Sequence, residues 1–309
     1  MAGRGVRNHA DKEREKTGPE TGRAGLLKTG RPAFPPGMDK RKIRMEILDL
    51  NETHLQTYLH CLEDWSDEMR EAGNHKHVWF NRMKDRGLRV RIAVEDGKAC
   101  GMIQYVPSEH SFIEGDDLYF IHCIWVHGHK QGVGNRQKRG MGKALLEATE
   151  RDVESMGRKG IAAWGLALPF WMKASWFKKQ GYRKADKDGM AVLLWKPFAD
   201  GAAPPRWIRL KKKPQPLTDR VAVTSFVNRW CTAQNGVHER ARRAAAEFGD
   251  RAVFQEIRTS DRNVFLEWGI SDALFIDGKQ VRTGPPPSFE KIRKKIAGRV
   301  KKRKTQPGS

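Results

Sequence analysis

Cysteine is scarce in this chain of 309 residues, acidic side chains are outnumbered, and long apolar runs are missing. The four cysteines, Cys61, Cys100, Cys123 and Cys231, show no paired spacing. That argues against a disulfide framework and against a thiolate metal site, and it fits a reducing, cytoplasmic setting. No metal centre is therefore expected. No stretch of about 20 apolar residues occurs, so no membrane-spanning helix is expected. The N-terminus lacks the apolar core of a signal peptide.

Lysine and arginine number 59 against 37 acidic residues, a net charge of +22. Such an excess suits an anionic partner: nucleic acid, a membrane surface or a nucleotide-like ligand. It equally suits a solvated basic surface with basic tails. The length suggests about two domains. Residues 1–42 are polar, charged and rich in Gly and Pro, and are expected to form a disordered basic tail.

The stretch around which the chain is organised runs from Leu118 to Leu146. Leu118–Val126 is an apolar, aromatic and β-branched run of strand length. Met141, Leu145, Ala148 and Val153 then mark one face of a helix. Between them lies Gln137-Lys138-Arg139-Gly140-Met141-Gly142. A glycine-rich strand-to-helix turn leaves backbone N–H groups free at a helix N-terminus, where the helix dipole favours an anion such as a pyrophosphate. Lys130, Arg136, Lys138, Arg139 and Lys143 surround the turn. No Gly-Lys-Ser/Thr ends it, as a Walker loop would, and no Gly-x-Gly-x-x-Gly is present there.

Elsewhere, alternation over residues 43–50 predicts a strand, although the pattern slips at Leu48 and Leu50. Glu52–Glu63 and Asp67–Arg86 read as helices. Asp96-Gly97 joins the strands Arg89–Val94 and Ala99–Val106 as a hairpin. After the helix over 140–157, Ile161–Leu168 is a strand, Pro169–Gln180 a helix and Met190–Trp195 a strand. Residues 201–218 are rich in Pro and Lys and read as a linker. Strands at Val221–Val227, Val253–Ile257 and across residues 273–281 follow, with helices at Val237–Phe248 and Phe289–Val300. Residues 299–309 are expected to be a basic tail.

The strand, Gln-x-x-Gly-x-Gly and helix resemble the acetyl-CoA-binding motif of the GNAT acyltransferase superfamily. Ala174-Ser175-Trp176-Phe177-Lys178-Lys179-Gln180-Gly181-Tyr182 resembles a second family signature, one β-α unit downstream. Two motifs in order on the right elements are more specific than either alone. The resemblance spans residues 43–198 and implies a mixed α/β fold. Residues 118–298 together are similar to GNAT proteins carrying a YoaP-type, thioredoxin-like domain, here 219–298 after a GNAT domain of 43–200. Acetyl-CoA is then the implied co-substrate. Its implied contacts are Ile124, Trp125, Val126, Gln137, Lys138, Arg139, Gly140, Met141, Gly142 and Lys143. The loop from Val126 to Gln137 is longer than usual for the family, with Gly128, Gly132 and Gly134 making it flexible. The resemblance then implies that this insertion either splays the cofactor entrance or adds charge toward the 3′-phosphate of CoA through Lys130 and Arg136.

Acyl transfer to an amine requires positioning, removal of an ammonium proton, polarisation of the thioester and protonation of the thiolate. The family often places an acidic base on the central strand. His122 holds roughly that place, and an imidazole suits the task; a packed strand histidine is the plain alternative. His127 is expected on the opposite strand face. Cys123 is a candidate nucleophile or apolar filler. Where the family often has an acid tyrosine, this chain has Phe177, with Tyr182 nearby. Trp125, Trp164, Trp171 and Trp176 line an acceptor pocket or simply pack. Cys231 sits where a thioredoxin-like fold places its first active cysteine, but Gln234 stands at the partner position, so no dithiol forms. The leading expectation is a GNAT N-acetyltransferase working by direct transfer. The alternatives are a basic protein contacting nucleic acid through Lys211–Lys213 and Lys291–Lys304, or a non-catalytic acyl-CoA-binding scaffold.

Overall fold

The slip in alternation at residues 47–50 has a simple cause: the first strand is covered on both faces. The structure, a computed structural model, describes residues 45–168, 172–282 and 284–304. The expected N-terminal tail and Trp171 lie outside the described residues. β1 (Met45–Asp49) is followed by α1 (Glu52–Leu59), α2 (Asp67–Glu71) and α3 (His75–Met83). Then come β2 (Arg89–Glu95), β3 (Lys98–Pro107), the short β4 (Ile113–Glu114) and β5 (Leu118–Val126). α4 (Met141–Ser155), β6 (Gly160–Leu166), α5 (Ala174–Lys179), β7 (Arg183–Asp188) and β8 (Ala191–Pro197) complete the first half. Its seven-stranded sheet is ordered β1-β2-β3-β5-β6-β8-β7. β5 and β6 pair parallel, while their outer neighbours β3 and β8 pair antiparallel to them.

Helices cover both faces of this sheet. On one face Met141, Leu145, Leu146 and Val153 of α4 join Phe177 of α5, and Met45 and Ile47 reach this layer. On the other face Tyr58, Leu59, Trp79 and Met83 of α1 and α3 pack, and Leu48 and Leu50 reach that layer. Each such buried side chain contributes roughly 1.5–3 kcal/mol.

The second half contains β9 (Arg206–Trp207), β10 (Val221–Val227), α6 (Thr232–Ala246), β11 (Ala252–Arg258) and α7 (Arg262–Trp268). It ends with β12 (Ala273–Ile276), β13 (Lys279–Val281) and α8 (Phe289–Lys304). β10 lies parallel to β11 and antiparallel to β12, which pairs antiparallel with β13. The order β11-β10-β12-β13 is a βαβ unit extended by a ββα unit, the topology of a thioredoxin-like fold. Both halves belong to one compact unit, Ile43–Ser309. No helix among the described residues is long and apolar enough to cross a membrane.

Several expected boundaries move, each for a local reason. The helix expected over 67–86 breaks at Gly73, whose φ of +64° ends α2 and lets α3 begin. α1 stops at Leu59 because Cys61 and Leu62 take left-handed backbone, with φ of 54° and 67°. β7 escapes the sequence pattern because it is a charged sheet edge, Arg-Lys-Ala-Asp-Lys-Asp. The expected linker carries β9, which pairs with β4, and Arg209 binds Asp186 of β7. α6 begins at Thr232 rather than Val237, and α7 was not anticipated although Asp261 caps it by accepting from the Asn263 N–H at 2.9 Å. The basic tail expected from residue 299 starts as helix, because Val300 is 7% exposed in the second core.

One polar contact fixes α4 on the sheet. Asp152 of α4 accepts hydrogen bonds from Arg89 Nη2 at 2.7 Å and Tyr105 Oη at 2.5 Å, and Arg91 Nη2 lies at 2.8 Å. Burial alone raises the Asp152 carboxyl, but the hydrogen bonds from Arg89 and Tyr105 and the charge of Arg91 outweigh it and hold it below the usual range. Asp152→Ala strands two guanidiniums and a phenol, so the expected loss at pH 7 is roughly 3–5 kcal/mol, read as a fall in Tm. The carboxyl titrates lower folded than unfolded. Its contribution is therefore complete above the unfolded value of about 3.9 and fades as pH falls toward the lowered one. The gap between wild type and variant narrows on acidification; equal Tm values at pH 7 refute the role.

Candidate functional site

β5 and β6 part company early. Their pairing covers Leu118–Ile121 against Gly160–Ala163 and then stops, although β5 continues to Val126 and β6 to Leu166. The other edge of β5 stays paired to β3 through Val126. Apart from the His122 and Val126 carbonyls, which Trp164 and Gln137 take, the main-chain groups of residues 122–126 that face β6 are therefore left without a strand partner. Trp164 of β6 reaches across the apex, its indole N–H donating to the His122 carbonyl at 2.9 Å. Gly165 lets α5 lie against β6, since a Cβ there meets the Ala174 backbone nitrogen at 2.6 Å.

The glycine turn closes on this wedge. Gln137 Nε2 donates to the Val126 carbonyl at 3.2 Å, tying the turn to the end of β5. Lys138 and Gly140 take left-handed φ of 63° and 81°, and α4 starts at Met141 with no side-chain cap. The N–H groups of Met141, Gly142 and Lys143 thus lack intrahelical acceptors. A Cβ on Gly142 lies 3.6 Å from Trp176 and 3.8 Å from Val126, so the turn, α5 and β5 converge. Met141 points into the core, while Lys138, Arg139 and Lys143 are exposed. Ile124 and Val126 pack half-buried against the α4 side and Trp125 against the other face.

The long loop is held rather than flexible. His127 is fully buried, donates from Nδ1 to the Gly134 carbonyl at 2.8 Å, and accepts from Trp65 Nε1 at 3.4 Å. Arg136 is bound to Glu95 and to the Val133 carbonyl, so it is not aimed at a ligand as the sequence suggested.

The expected catalytic residues do not reach solvent. The β3–β5 register jumps from Gln104↔Cys123 to Tyr105↔Ile121, so His122 is a bulge residue. The bulge shifts the alternation by one, which places His127 beside Trp65 on the Trp125 side rather than on the face opposite His122. His122 is 1% exposed, ringed by Phe112, Phe120, Trp79 and Trp230, the last at 5.1 Å. Neither ring nitrogen has a partner, and burial pushes its pKa down to about 3. A ring so enclosed speaks against the general-base reading. Burial likewise raises the Cys123 thiol well above its ordinary value, which speaks against the nucleophile reading. The Tyr182 phenol is buried, and burial followed by the Glu150 carboxylate pushes it up, which speaks against a role as proton donor. Phe177 is fully buried in the α4-side core. Burial, followed by the neighbouring Cys61, pushes the half-buried Cys231 up to about 12, which speaks against a reactive thiol there.

A different group stands at the open end of β5. His129 Nε2 lies 3.2 Å from Glu63 Oε1, with the imidazole 45% and the carboxylate side chain 13% exposed. The His129 ring sits 5.7 Å from Trp65 and 6.2 Å from Trp125. No sequence spacing links Glu63 to His129. They meet because the left-handed Cys61–Leu62 turn directs the chain after α1 toward the loop that follows β5.

No protein-family model matches the chain, and no curated protein does. Among solved structures, a GNAT family acetyltransferase from Brucella melitensis, in complex with acetyl-CoA, is 13% identical over 52% of this chain and 92% of its own, with a TM-score of 0.35. PaiA N-acetyltransferase from Thermoplasma acidophilum, with coenzyme A, is 15% identical over 50% of this chain and all (100%) of its own, at 0.37. The GNAT family N-acetyltransferase YhbS from Escherichia coli, with CoA, is 10% identical over 55% and 93%, at 0.39. Each of these solved structures aligns with about half of this chain and nearly all of its own length.

Gly140 faces open space, so a side chain there meets nothing within 4 Å. Gly140→Asp sets a carboxylate where an anion is expected, and acetyl-CoA affinity measured by calorimetry should fall about tenfold or more, ~1.4 kcal/mol. Gly140→Asn carries the same backbone strain without the charge and should lose less. Equal affinities in all three proteins exclude this turn as the phosphate site.

Proposed function

We propose that this chain transfers an acetyl group from acetyl-CoA to an amine by direct attack within a ternary complex. The observation that carries the reading is the left-handed Gly140 opening α4 beside the unpaired edge of β5. Free N–H groups at residues 141–143 take the pyrophosphate, aided by the helix dipole and by Lys138 and Lys143. The open edge of residues 122–126 pairs with the amide groups of the pantetheine arm. Its N–H donors polarise the thioester carbonyl.

His129 is the base in this reading. Its Nε2–H is held by Glu63, which leaves the Nδ1 lone pair to take the proton from the attacking ammonium. The amine then bonds to the carbonyl carbon and gives up a second proton to water, the C–S bond breaks, and the thiolate takes its proton from solvent. Trp65 and Trp125 flank the imidazole and give the acceptor an apolar, π-rich approach. We read residues 219–304 as the YoaP-type domain that backs the wedge, joined to a GNAT domain of 43–200 by the pinned segment 201–218. A second reading, acyl-CoA binding without turnover, draws on the burial of His122, Cys123 and Tyr182 and on Phe177.

Thiol release over a panel of amines tests both. His129→Ala should lower kcat roughly 10²–10⁴-fold. Glu63→Gln should lower it by a smaller factor. His122→Phe keeps an aromatic ring in the apolar pocket and should leave the pH–rate profile above pH 5 unchanged, since the imidazole is already neutral there. A profile altered by His122→Phe and indifferent to His129→Ala overturns the assignment. Tight acetyl-CoA binding with no turnover on any amine selects the second reading.

A further inference from the structure

Where α3 meets α6, three metal-binding side chains converge, one from α3 and two neighbours from α6. His75 is the first residue of α3, and His238 and Glu239 lie within α6, with His75 and Glu239 164 positions apart. One donor atom from each lies within 4.8 Å of the other two. His75 Nε2 is 2.7 Å from Glu239 Oε1, and the two imidazoles stand 5.1 Å apart, nearly perpendicular. We propose that His75, His238 and Glu239 bind a divalent transition ion of the zinc class, which clamps α3 to α6.

The donor chemistry fits. Two neutral imidazoles and a carboxylate are a common three-ligand set for zinc, with the fourth position left to water or a further oxygen. Metal–ligand bonds of about 2.0–2.2 Å set tetrahedral donors about 3.3 Å apart, within reach of small side-chain rotations from the observed spacing. Glu256 Oε2, 3.3 Å from His238 Nε2, is a candidate for the fourth place.

The supporting contacts fit as well. His238 is buried, and its Nδ1 lies 2.9 Å from Ser225 Oγ. With the ion bound, Nδ1–H donates to Ser225 and Nε2 carries the metal, the outer contact that fixes a ligating histidine. Without it, the proton sits on Nε2 facing Glu256. Arg242 takes Glu239 Oε2 through Nε at 3.1 Å and Nη2 at 2.8 Å, so Oε1 is left for His75 or for the ion.

The place gives the clamp a consequence. Arg240 already bridges to Glu68 at 2.9 Å and Glu71 at 2.8 Å of α2. An ion on the two residues that precede Arg240 in α6 adds a link from the same helix to α3. α6 begins directly after Trp230 and Cys231, so fixing α6 fixes Trp230 over His122. The inference does not depend on acyl transfer.

The test uses tag-free full-length protein, stripped with a chelator and titrated with Zn²⁺ and Co²⁺. Calorimetry and elemental analysis should show one ion per chain, a Tm raised by zinc, and visible absorption bands with Co²⁺. His75→Gln keeps a hydrogen bond to Glu239 and should fold with the metal-free Tm of wild type, yet bind zinc at least 100-fold more weakly. His238→Gln should do the same at the buried ligand. Absence of stoichiometric uptake by wild type, or equal affinity in wild type and His75→Gln, overturns the site.

Discussion

A strand inside a sheet must satisfy its main-chain N–H and C=O groups on both edges, and β5 loses one partner halfway along. The site follows from that constraint. β3 holds the outer edge through Val126, so β5 cannot swing over to rejoin β6. β6 is held along its full length by β8. Asp152 locks α4 to β2 and β3, which fixes the glycine turn at the wedge mouth. The opening is therefore a consequence of well-paired neighbours, and Trp164 closes only its apex.

The second half completes the far side of the wedge. Trp230 belongs to the same apolar cluster as Tyr58, Trp79 and Cys123, and the Gln104 amide reaches its carbonyl at 3.5 Å. The Thr232 hydroxyl donates to the Leu59 carbonyl at 2.9 Å and the Cys61 thiol to Thr232 Oγ1 at 3.1 Å. This packing removes water from His122, which is why its imidazole is pushed toward the neutral form. The approach left to an acceptor is the Trp125 end of β5, where His129 remains half in solvent.

The sequence made the wedge's components legible because each is local. The apolar run of β5, the glycine turn and the amphipathic face of α4 are contiguous patterns, and all appear where expected. What it hid is long-range or irregular. A bulge at His122 obeys no pattern of period two, so the facing of residues 122–127 was misread. β7 carries no apolar alternation because it is an edge. α7 had a legible cap at Asp261 and a left-handed Gly269 at its end, a signal present but not used. Glu63 and His129, like His75 and Glu239, meet only through tertiary packing.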